Sequence, residues 1–331
     1  MVFAIQIAID GIAARVYAER IRGPRFEEAI VIDVLRRIDS ELKFEIGVKP
    51  VRLPSPVLVL VFMTVLWGGT FLVTRTSLHF IGPFAFVGWR FGMAAVVVAL
   101  VVRPHPASFQ RRELVGGIAV GVVLYFGYGL QAAGLKTVAS GESAFLTALY
   151  VPMVPVLEFM LFRRRPSGVA LVGVIMAFAG LVLVSGITPG RLDLGTGQWL
   201  TVIAALSAAL EIVLISRSSK RTDPRRLALV QLVTVSVLAL GTEWVRGGPM
   251  ISLAWFPVLA VLGMGLITAF IMVAQNWAQR SVPANRATLI YALEPVWAGL
   301  IGAAFGEIFG VGQVVGGAMI IGSVVLSQWR S

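Results

Sequence analysis

Hydrophobic residues recur along the chain in long runs with few interruptions. Examples are VLVLVFMTVLW (57–67), MAAVVVALVV (93–102) and VALVGVIMAFAGLVLVSGI (169–187). Each run lies in a segment of about 20 residues, long enough at 1.5 Å per residue to cross a hydrocarbon core about 30 Å thick. The segments lack the polar face, repeated at helical period, that a helix in a soluble core would show. The pattern predicts an all-α integral membrane protein.

Short loops that contain Arg and Pro separate ten such segments. The predicted spans are approximately 56–77, 84–102, 114–135, 143–162, 168–187, 197–216, 226–245, 255–277, 285–304 and 310–329. Lys and Arg concentrate after the even-numbered spans, and the loops after odd-numbered spans contain few. Because an excess of Lys and Arg marks cytoplasmic loops, the bias predicts a multi-pass protein of the plasma (inner) membrane with both termini cytosolic.

Residues 1–52 have a different composition. They hold nine Lys and Arg and eight of the 17 Asp and Glu of the chain, and they include an amphipathic stretch at 26–42. Its apolar positions follow helical spacing. We interpret this segment as a cytosolic or interfacial extension. An over-extended start of the reading frame is the alternative, since no Met falls between Met1 and Met63.

Composition and charge limit the classes of ligand and site that the sequence predicts. The chain is 57% hydrophobic and 14% charged, with a mean hydropathy of +0.87, whereas soluble domains carry about 25% charged residues. The net charge of +11 resides in short loops that orient the protein in the bilayer, so nucleic-acid binding is not predicted. There is no cysteine, and His79 and His105 fall on opposite sides of the predicted membrane. The sequence therefore predicts no disulfide, no metal site and no cofactor.

The two halves of the hydrophobic region resemble each other at an offset of about 144 residues. The matches pair Gln131 with Gln275, Lys136 with Arg280, Val138 with Val282, Gly168 with Gly312 and Gly173 with Gly317. Residues 56–187 and 197–329 each contain five predicted spans, and the odd number predicts that the second half is inverted relative to the first. Inverted repeats around a central site are the architecture of alternating-access carriers. A duplicated scaffold without transport is the alternative.

Four segments of the chain carry a family resemblance: WGGTFLVTR (67–75), GPFAFVGWRF (82–91), SAFLTALYVPMVPVLEF (143–159) and ATLIYALEPVWAGLIGAAFGE (287–307). They resemble the recurring segments of the EamA family in the drug/metabolite transporter (DMT) superfamily. The resemblance runs over about 56–329. It implies two five-helix EamA repeats, ten spans, and export or exchange of small metabolites. Residues 1–52 have no counterpart in it.

The pair Glu294-Pro295 places a carboxyl and a helix-breaking residue near the middle of the ninth predicted span. Glu294 lies roughly 14 Å into the span by helical rise. A charge near the bilayer centre costs about 2.5–3.5 kcal/mol on insertion scales, so it marks a candidate functional site. The hypothesis is that Glu294 lines a central cavity and binds a cationic substrate group or a proton. The alternative is a structural Glu bonded to a neighbouring helix.

Other charged residues in the predicted spans have weaker claims to a role in transport. The guanidinium of Arg90, in the second span, has the geometry to bind a substrate carboxylate. A structural or snorkelling side chain is the alternative for Arg90. Glu158 and Glu211 lie within about two turns of cytosolic Arg clusters. We interpret both as members of interfacial ion pairs.

Further polar and aromatic residues are candidates to line a substrate path, although Trp and Tyr are also enriched at membrane interfaces. They are Trp67, Trp89, Tyr125, Tyr128, Gln131, Tyr150, Gln275, Asn276 and Tyr291. The repeat-related pair Gln131 and Gln275 is favoured, because a central site uses symmetric polar positions. Pro152, Pro155 and Pro295 interrupt the equivalent fourth and ninth spans and are candidate hinges, with tolerated kinks as the alternative.

These observations favour a secondary transporter (permease) that moves small amino-acid-like or drug-like metabolites, and they predict no enzyme activity. No Gly-Lys pair occurs, so the chain has no Walker P-loop. The predicted partners are a small-molecule substrate, the lipid bilayer and either protons or a counter-substrate, and a homodimer is compatible with the pattern. Two alternatives are a membrane-embedded enzyme for lipid-linked substrates and a non-transporting scaffold. The enzyme would need a catalytic motif such as GxSxG or HExxH, and neither is present.

Overall fold

A computed structural model gives the structure of the protein and describes residues 55–103, 109–138, 140–163, 167–185, 195–250, 254–297 and 311–329. The predicted extension at 1–52 lies outside these residues. Throughout the described ranges the regular secondary structure is helical. This confirms the predicted all-α class.

Twelve helices, numbered here in chain order, make up this part of the chain. They are α1 (Pro56–Gly68), α2 (Thr70–Ser77), α3 (Pro83–Val102), α4 (Arg111–Gly134), α5 (Ser140–Thr147), α6 (Tyr150–Phe162), α7 (Gly168–Ser185), α8 (Thr196–Ser218), α9 (Pro224–Arg246), α10 (Trp255–Ala278), α11 (Ala284–Tyr291) and α12 (Val311–Trp329). A short 3-10 turn, Ser219–Arg221, follows α8. Residues 294–297 are helical again after α11.

Seven helical segments are long and apolar enough to cross a membrane. They are Pro56–Ser77, Pro83–Val102, Arg111–Gly134, Ser143–Phe162, Thr196–Arg221, Pro224–Arg246 and Trp255–Ala278. The predicted fifth and tenth spans coincide with α7 and α12, whose apolar parts are shorter, Gly168–Leu183 and Val314–Leu326. The predicted ninth span is described only as far as residue 297. The structure thus supports a multi-pass membrane protein, and the number of ten spans stays a prediction.

The fourth and ninth predicted spans are broken at equivalent places. α5 ends at Thr147, and α6 begins at Tyr150, two residues before Pro152. α11 ends at Tyr291, and helical structure returns at residue 294, beside Pro295. A proline cannot donate to the carbonyl four residues before it and its ring clashes there. For Pro152 and Pro295 those carbonyls belong to Ala148 and Tyr291, so each proline accounts for its break.

The breaks are closed by tighter turns. The N–H of Val151 donates to the carbonyl of Ala148 over 3.0 Å, and the N–H of Leu293 donates to the carbonyl of Ile290 over 3.0 Å. Pro155 instead lies inside the continuous helix α6. Two of the three candidate hinge prolines therefore stand at interruptions of the helical ladder.

Helices of one half pack mainly against helices of the other. α3 packs along α9, α4 along α8 and α9, and α7 along α12. Glycines permit the closest approaches: a Cβ on Gly180 of α7 would lie 2.6 Å from the carbonyl oxygen of Gly316 in α12. On α4, a Cβ on Gly117 or Gly121 would lie 2.6 Å from the side chains of Val230 or Thr234 in α9. Such small-residue contacts are how membrane helices approach closely.

A buried carboxylate joins α3 to α9. Glu243, near the end of α9, is 2% exposed and accepts hydrogen bonds from the N–H groups of Phe84 (2.9 Å) and Ala85 (3.2 Å). These N–H groups belong to the first turn of α3, where a helix has no internal partners for its donors. The carboxylate also meets the positive end of the helix dipole. Glu243 therefore caps a helix from the other half of the chain.

Candidate functional site

A cavity of about 70 Å³ lies between the two halves. Its walls are formed by Trp67, Thr70, Phe71, Gly127, Tyr128, Gln131, Thr147, Tyr150, Ala204, Ala208, Glu211, Ile212, Gln275, Tyr291 and Glu294. The broken segments bring Thr147, Tyr150, Tyr291 and Glu294 to this wall, because α5 and α11 end beside it. The cavity is therefore built where the two interrupted spans and the helices α1, α2, α4, α8 and α10 meet.

The polar and aromatic lining follows the internal repeat. Three repeat-related pairs of lining residues stand 144 positions apart: Gln131 with Gln275, Thr147 with Tyr291, and Tyr150 with Glu294. The glutamine is kept in both halves, whereas the side chains of the other pairs differ in chemistry. Both carboxyl groups, those of Glu211 and Glu294, come from the second half.

The repeat-related glutamines make different hydrogen bonds. Gln131 donates from Nε2 to Oγ1 of Thr147 over 2.9 Å, which links α4 to α5. Gln275 donates from Nε2 to Oε1 of Glu211 over 2.9 Å, which links α10 to α8. The structure brings both predicted glutamines to one cavity. Each amide orients a neighbour on the cavity wall.

Several lining groups have no hydrogen-bond partner within the described part of the chain. The buried atoms in this state are Nε1 of Trp67, the hydroxyl of Tyr150 and Oε1 of Gln275. Glu294 is half-buried and makes no hydrogen bond to the described residues. Buried polar groups are normally paired, so each exception needs an explanation. Two donors, an amide oxygen and a carboxylate thus converge on one cavity without a hydrogen-bond partner among the described residues, and they are available to a ligand.

Aromatic rings form much of the remaining wall. Trp67 and Tyr291 are in edge-to-face contact, with ring centroids 5.1 Å apart. Among the described residues that line the cavity there is no Lys, Arg or His. Carboxylates attract a cation, and aromatic faces attract it further. The cavity therefore suits a group that carries positive charge.

Arg90 lies outside the cavity wall. Its side chain is 3% exposed, its Nε donates to Oγ1 of Thr268 over 2.7 Å, and its guanidinium carbon lies 5.3 Å from the ring centroid of Tyr128. Tyr128 itself lines the cavity. These contacts match the structural alternative for Arg90, because its guanidinium supports a wall residue and does not line the wall.

Three more sequence candidates also lie elsewhere. Asn276 is fully buried and exchanges hydrogen bonds with Gln231, 2.8 Å and 3.2 Å long, between α10 and α9. Nε1 of Trp89 donates to the carbonyl of Met250, and the hydroxyl of Tyr125 is 2.7 Å from Oγ1 of Thr242. All three contribute to helix packing.

The interpretation of Glu211 as an interfacial ion pair is wrong. Glu211 is 8% exposed, lines the cavity and accepts the Gln275 hydrogen bond. No described Lys or Arg forms a salt bridge with it. Its distance along the chain from Arg217 suggested the membrane surface, but the side chain points into the helix bundle. Glu158, by contrast, accepts a hydrogen bond from Nδ2 of Asn285 at the end of α6.

Known proteins and one family model match nearly all of the region that the structure describes. The family model described as "EamA-like transporter family" matches residues 54–186 and again residues 195–329. An uncharacterized transporter of Archaeoglobus fulgidus is 26% identical over 88% of this chain and 91% of its own length. The uncharacterized transporter YoaV of Bacillus subtilis is 23% identical over 72% of this chain and 84% of its own. One crystal structure shares the fold, with a TM-score of 0.67 at 16% identity, over 83% of this chain and 98% of that one.

Proposed function

Because the chain belongs to the EamA-like transporter family and is a multi-pass membrane transporter, we propose that it is a secondary carrier of small amine-bearing metabolites. The proposed substrates are amino-acid-like or drug-like, and they pass through the cavity between the two halves. The proposed cycle is alternating access, used for export or exchange. Protons or a counter-substrate would drive it.

The observation that carries this proposal is the carboxylate of Glu294, which has no hydrogen-bond partner among the described residues and lines an aromatic-walled cavity that also holds Glu211. A charge inside a membrane protein is costly and marks a substrate or ion pathway. A substrate ammonium group placed beside Glu294 would compensate its charge. The N–H of Trp67, the hydroxyl of Tyr150 and Oε1 of Gln275 have no hydrogen-bond partner among the described residues, and they are placed to receive the polar groups of the same molecule.

The size of the cavity supports a conformational cycle. Pockets for organic ligands have volumes of about 300–1,000 Å³, and the cavity is about 70 Å³. A metabolite therefore needs the walls to separate before it can enter. The helix breaks beside Pro152 and Pro295 adjoin the cavity, and a movement there would enlarge it.

Proteoliposome counterflow tests the proposal. Proteoliposomes that contain the full-length protein would be loaded with amine-bearing amino acids and organic cations, or with neutral and anionic analogues of similar size. Exchange of the radiolabelled compounds across the membrane would be measured with and without a pH gradient. We expect exchange of amine-bearing compounds only, and a loss of at least about tenfold in Glu294→Gln, because a hydrogen bond to a charged group contributes about 1.5–3 kcal/mol. Glu158→Gln, a matched change outside the cavity, should exchange normally. Equal exchange by Glu294→Gln, or preference for anions, would refute the assignment.

A further inference from the structure

A second, larger concavity lies at the ends of α4 and α8, away from the central cavity. It has a volume of about 820 Å³ and is lined by Arg111, Arg112, Val115, Gly116, Arg217, Ser218, Lys220, Arg221 and Thr222. Five of these nine residues are basic, and they come from the start of α4, the end of α8 and the following 3-10 turn. We refer to this set as the basic groove. It lies at the ends of two predicted spans, where lipid headgroups meet the protein.

The charges of the basic groove are not neutralised by the described acidic residues. Glu113 is fully buried and already accepts from the N–H of Gln110 (2.9 Å), the N–H of Asp223 (3.0 Å) and Nε of Arg226 (3.1 Å). Asp223 accepts from the first N–H groups of α9. Both carboxylates are therefore committed to the start of α9. The cations that face the groove have no ion-pair partner in the described ranges.

The floor of the basic groove is open and polar. Gly116 packs beside Ser218, and a Cβ at position 116 would lie 3.2 Å from Oγ of Ser218. The Ser218 hydroxyl makes no hydrogen bond to a described residue. Arg217 at the rim lies over the Phe162 ring, 3.6 Å from its centroid, so its position is fixed by stacking. Cations around a free hydroxyl form a suitable environment for the oxygens of a phosphate ester.

An apolar surface continues from the groove into the membrane. Val115 is 59% exposed, Ile118 is 50% exposed and Phe126 is 48% exposed. Their spacing places them on the same face of α4. Acyl chains would cover this face, whereas a soluble phosphate would leave it unused.

We propose that the basic groove binds the headgroup of an anionic phospholipid, with its acyl chains against the Val115 and Ile118 face of α4. Basic pockets between membrane helices are suited to anionic headgroups. Orientation of the protein in the bilayer requires positive loops but does not require them to converge on one groove. The convergence of charge, the free hydroxyl and the apolar face together indicate a lipid.

The test is native mass spectrometry of the full chain in detergent, titrated with phosphatidylglycerol, phosphatidylcholine or soluble glycerol phosphate. The test variant is Lys220→Gln with Arg221→Gln. The control variant, Lys136→Gln with Arg280→Gln, removes the same charge from outside the groove. Each juxtamembrane cation contributes about fivefold to affinity, so the test variant should bind phosphatidylglycerol about 30-fold more weakly. The control should bind it like the unmodified protein.

The other results would overturn the proposal. Equal weakening in both variants would indicate a general effect of charge. Equal binding of phosphatidylcholine would exclude recognition of the anionic headgroup. Displacement of phosphatidylglycerol by glycerol phosphate at equal concentration would indicate a site for a soluble anion. The swap Lys220→Arg with Arg221→Lys keeps the charge and should retain binding, so failure of that variant to bind lipid also counts against the proposal.

Discussion

Tyr150 and Glu294 stand 144 residues apart at equivalent positions of the two halves, and both face the central cavity. In this pair the first half supplies an aromatic side chain and the second half supplies a carboxyl. The internal repeat has therefore kept this position of the cavity wall while the chemistry of its side chain has diverged.

The first prediction concerns the pairing of Glu211 with Gln275. In a double-mutant cycle of Glu211→Leu and Gln275→Leu, the effects on unfolding free energy should be non-additive by about 0.6–1.7 kcal/mol, the range for interhelical hydrogen bonds in membranes. Gln131→Leu provides the control, because Gln131 bonds to Thr147 instead. Its effect should add to that of Glu211→Leu. Denaturant unfolding in mixed micelles measures both cycles, and equal coupling in the two would contradict the assignment.

The second prediction concerns the break beside Pro295. Pro295→Ala restores an N–H donor to the Tyr291 carbonyl, so the helix should gain about 1 kcal/mol of stability. Because the break adjoins the cavity, we expect the counterflow rate to fall several-fold while substrate affinity changes little. Pro155→Ala, inside the continuous α6, should have a smaller effect on the rate. If Pro295→Ala is more stable but its counterflow rate is unchanged, the break beside Pro295 does not act as a hinge.

The third prediction concerns the contact between α7 and α12. Gly180→Ala should lower stability by about 1–3 kcal/mol, because the new methyl group meets the backbone oxygen of Gly316 and cannot displace it cheaply. Gly241→Ala is the matched control, since a Cβ there has no neighbour within 4 Å. That change should raise stability by about 0.5–1 kcal/mol. Opposite shifts of the unfolding midpoint are expected, and a similar loss in both would disprove the close contact.

The fourth prediction concerns the cap on α3. Glu243→Ala leaves the N–H groups of Phe84 and Ala85 without an acceptor, and it should cost up to about 2 kcal/mol, as the loss of a helix cap does. Glu243→Gln keeps one acceptor oxygen and should lose less. Thermal unfolding of the two variants in the same detergent gives the comparison. Equal losses would mean that the carboxylate charge, and not the hydrogen bonds, is responsible.

Hydropathy predicted the long helices well, because a membrane span needs continuous apolar sequence and leaves a strong pattern. The prolines likewise located the breaks at 148–149 and 292–293, since their effect on the helix is local. The predicted Glu294, Gln131, Gln275, Trp67, Tyr128, Tyr150 and Tyr291 all line the cavity.

The remaining site residues depend on how helices rotate against one another. Glu211 was misplaced because its depth along the span does not say which way its side chain faces. Arg90 and Asn276 were candidates in sequence as well, each with a structural alternative. Their hydrogen-bond partners are Thr268 and Gln231, more than 40 positions away in the chain. Thr147 could have been predicted as a lining residue only because it is the repeat partner of Tyr291. Partners that are distant in sequence and set by packing are not encoded in a local pattern.

The bond between Glu243 and the start of α3 has a mechanical consequence. α3 belongs to the first half of the chain and α9 to the second, yet a motion that separated them would leave a buried carboxylate and two amides without partners. The hydrogen bonds therefore join the two helices into one rigid unit, although they come from different halves of the chain. In the proposed transport cycle α3 and α9 would therefore move together, and distance probes placed on these two helices should report no change in their separation.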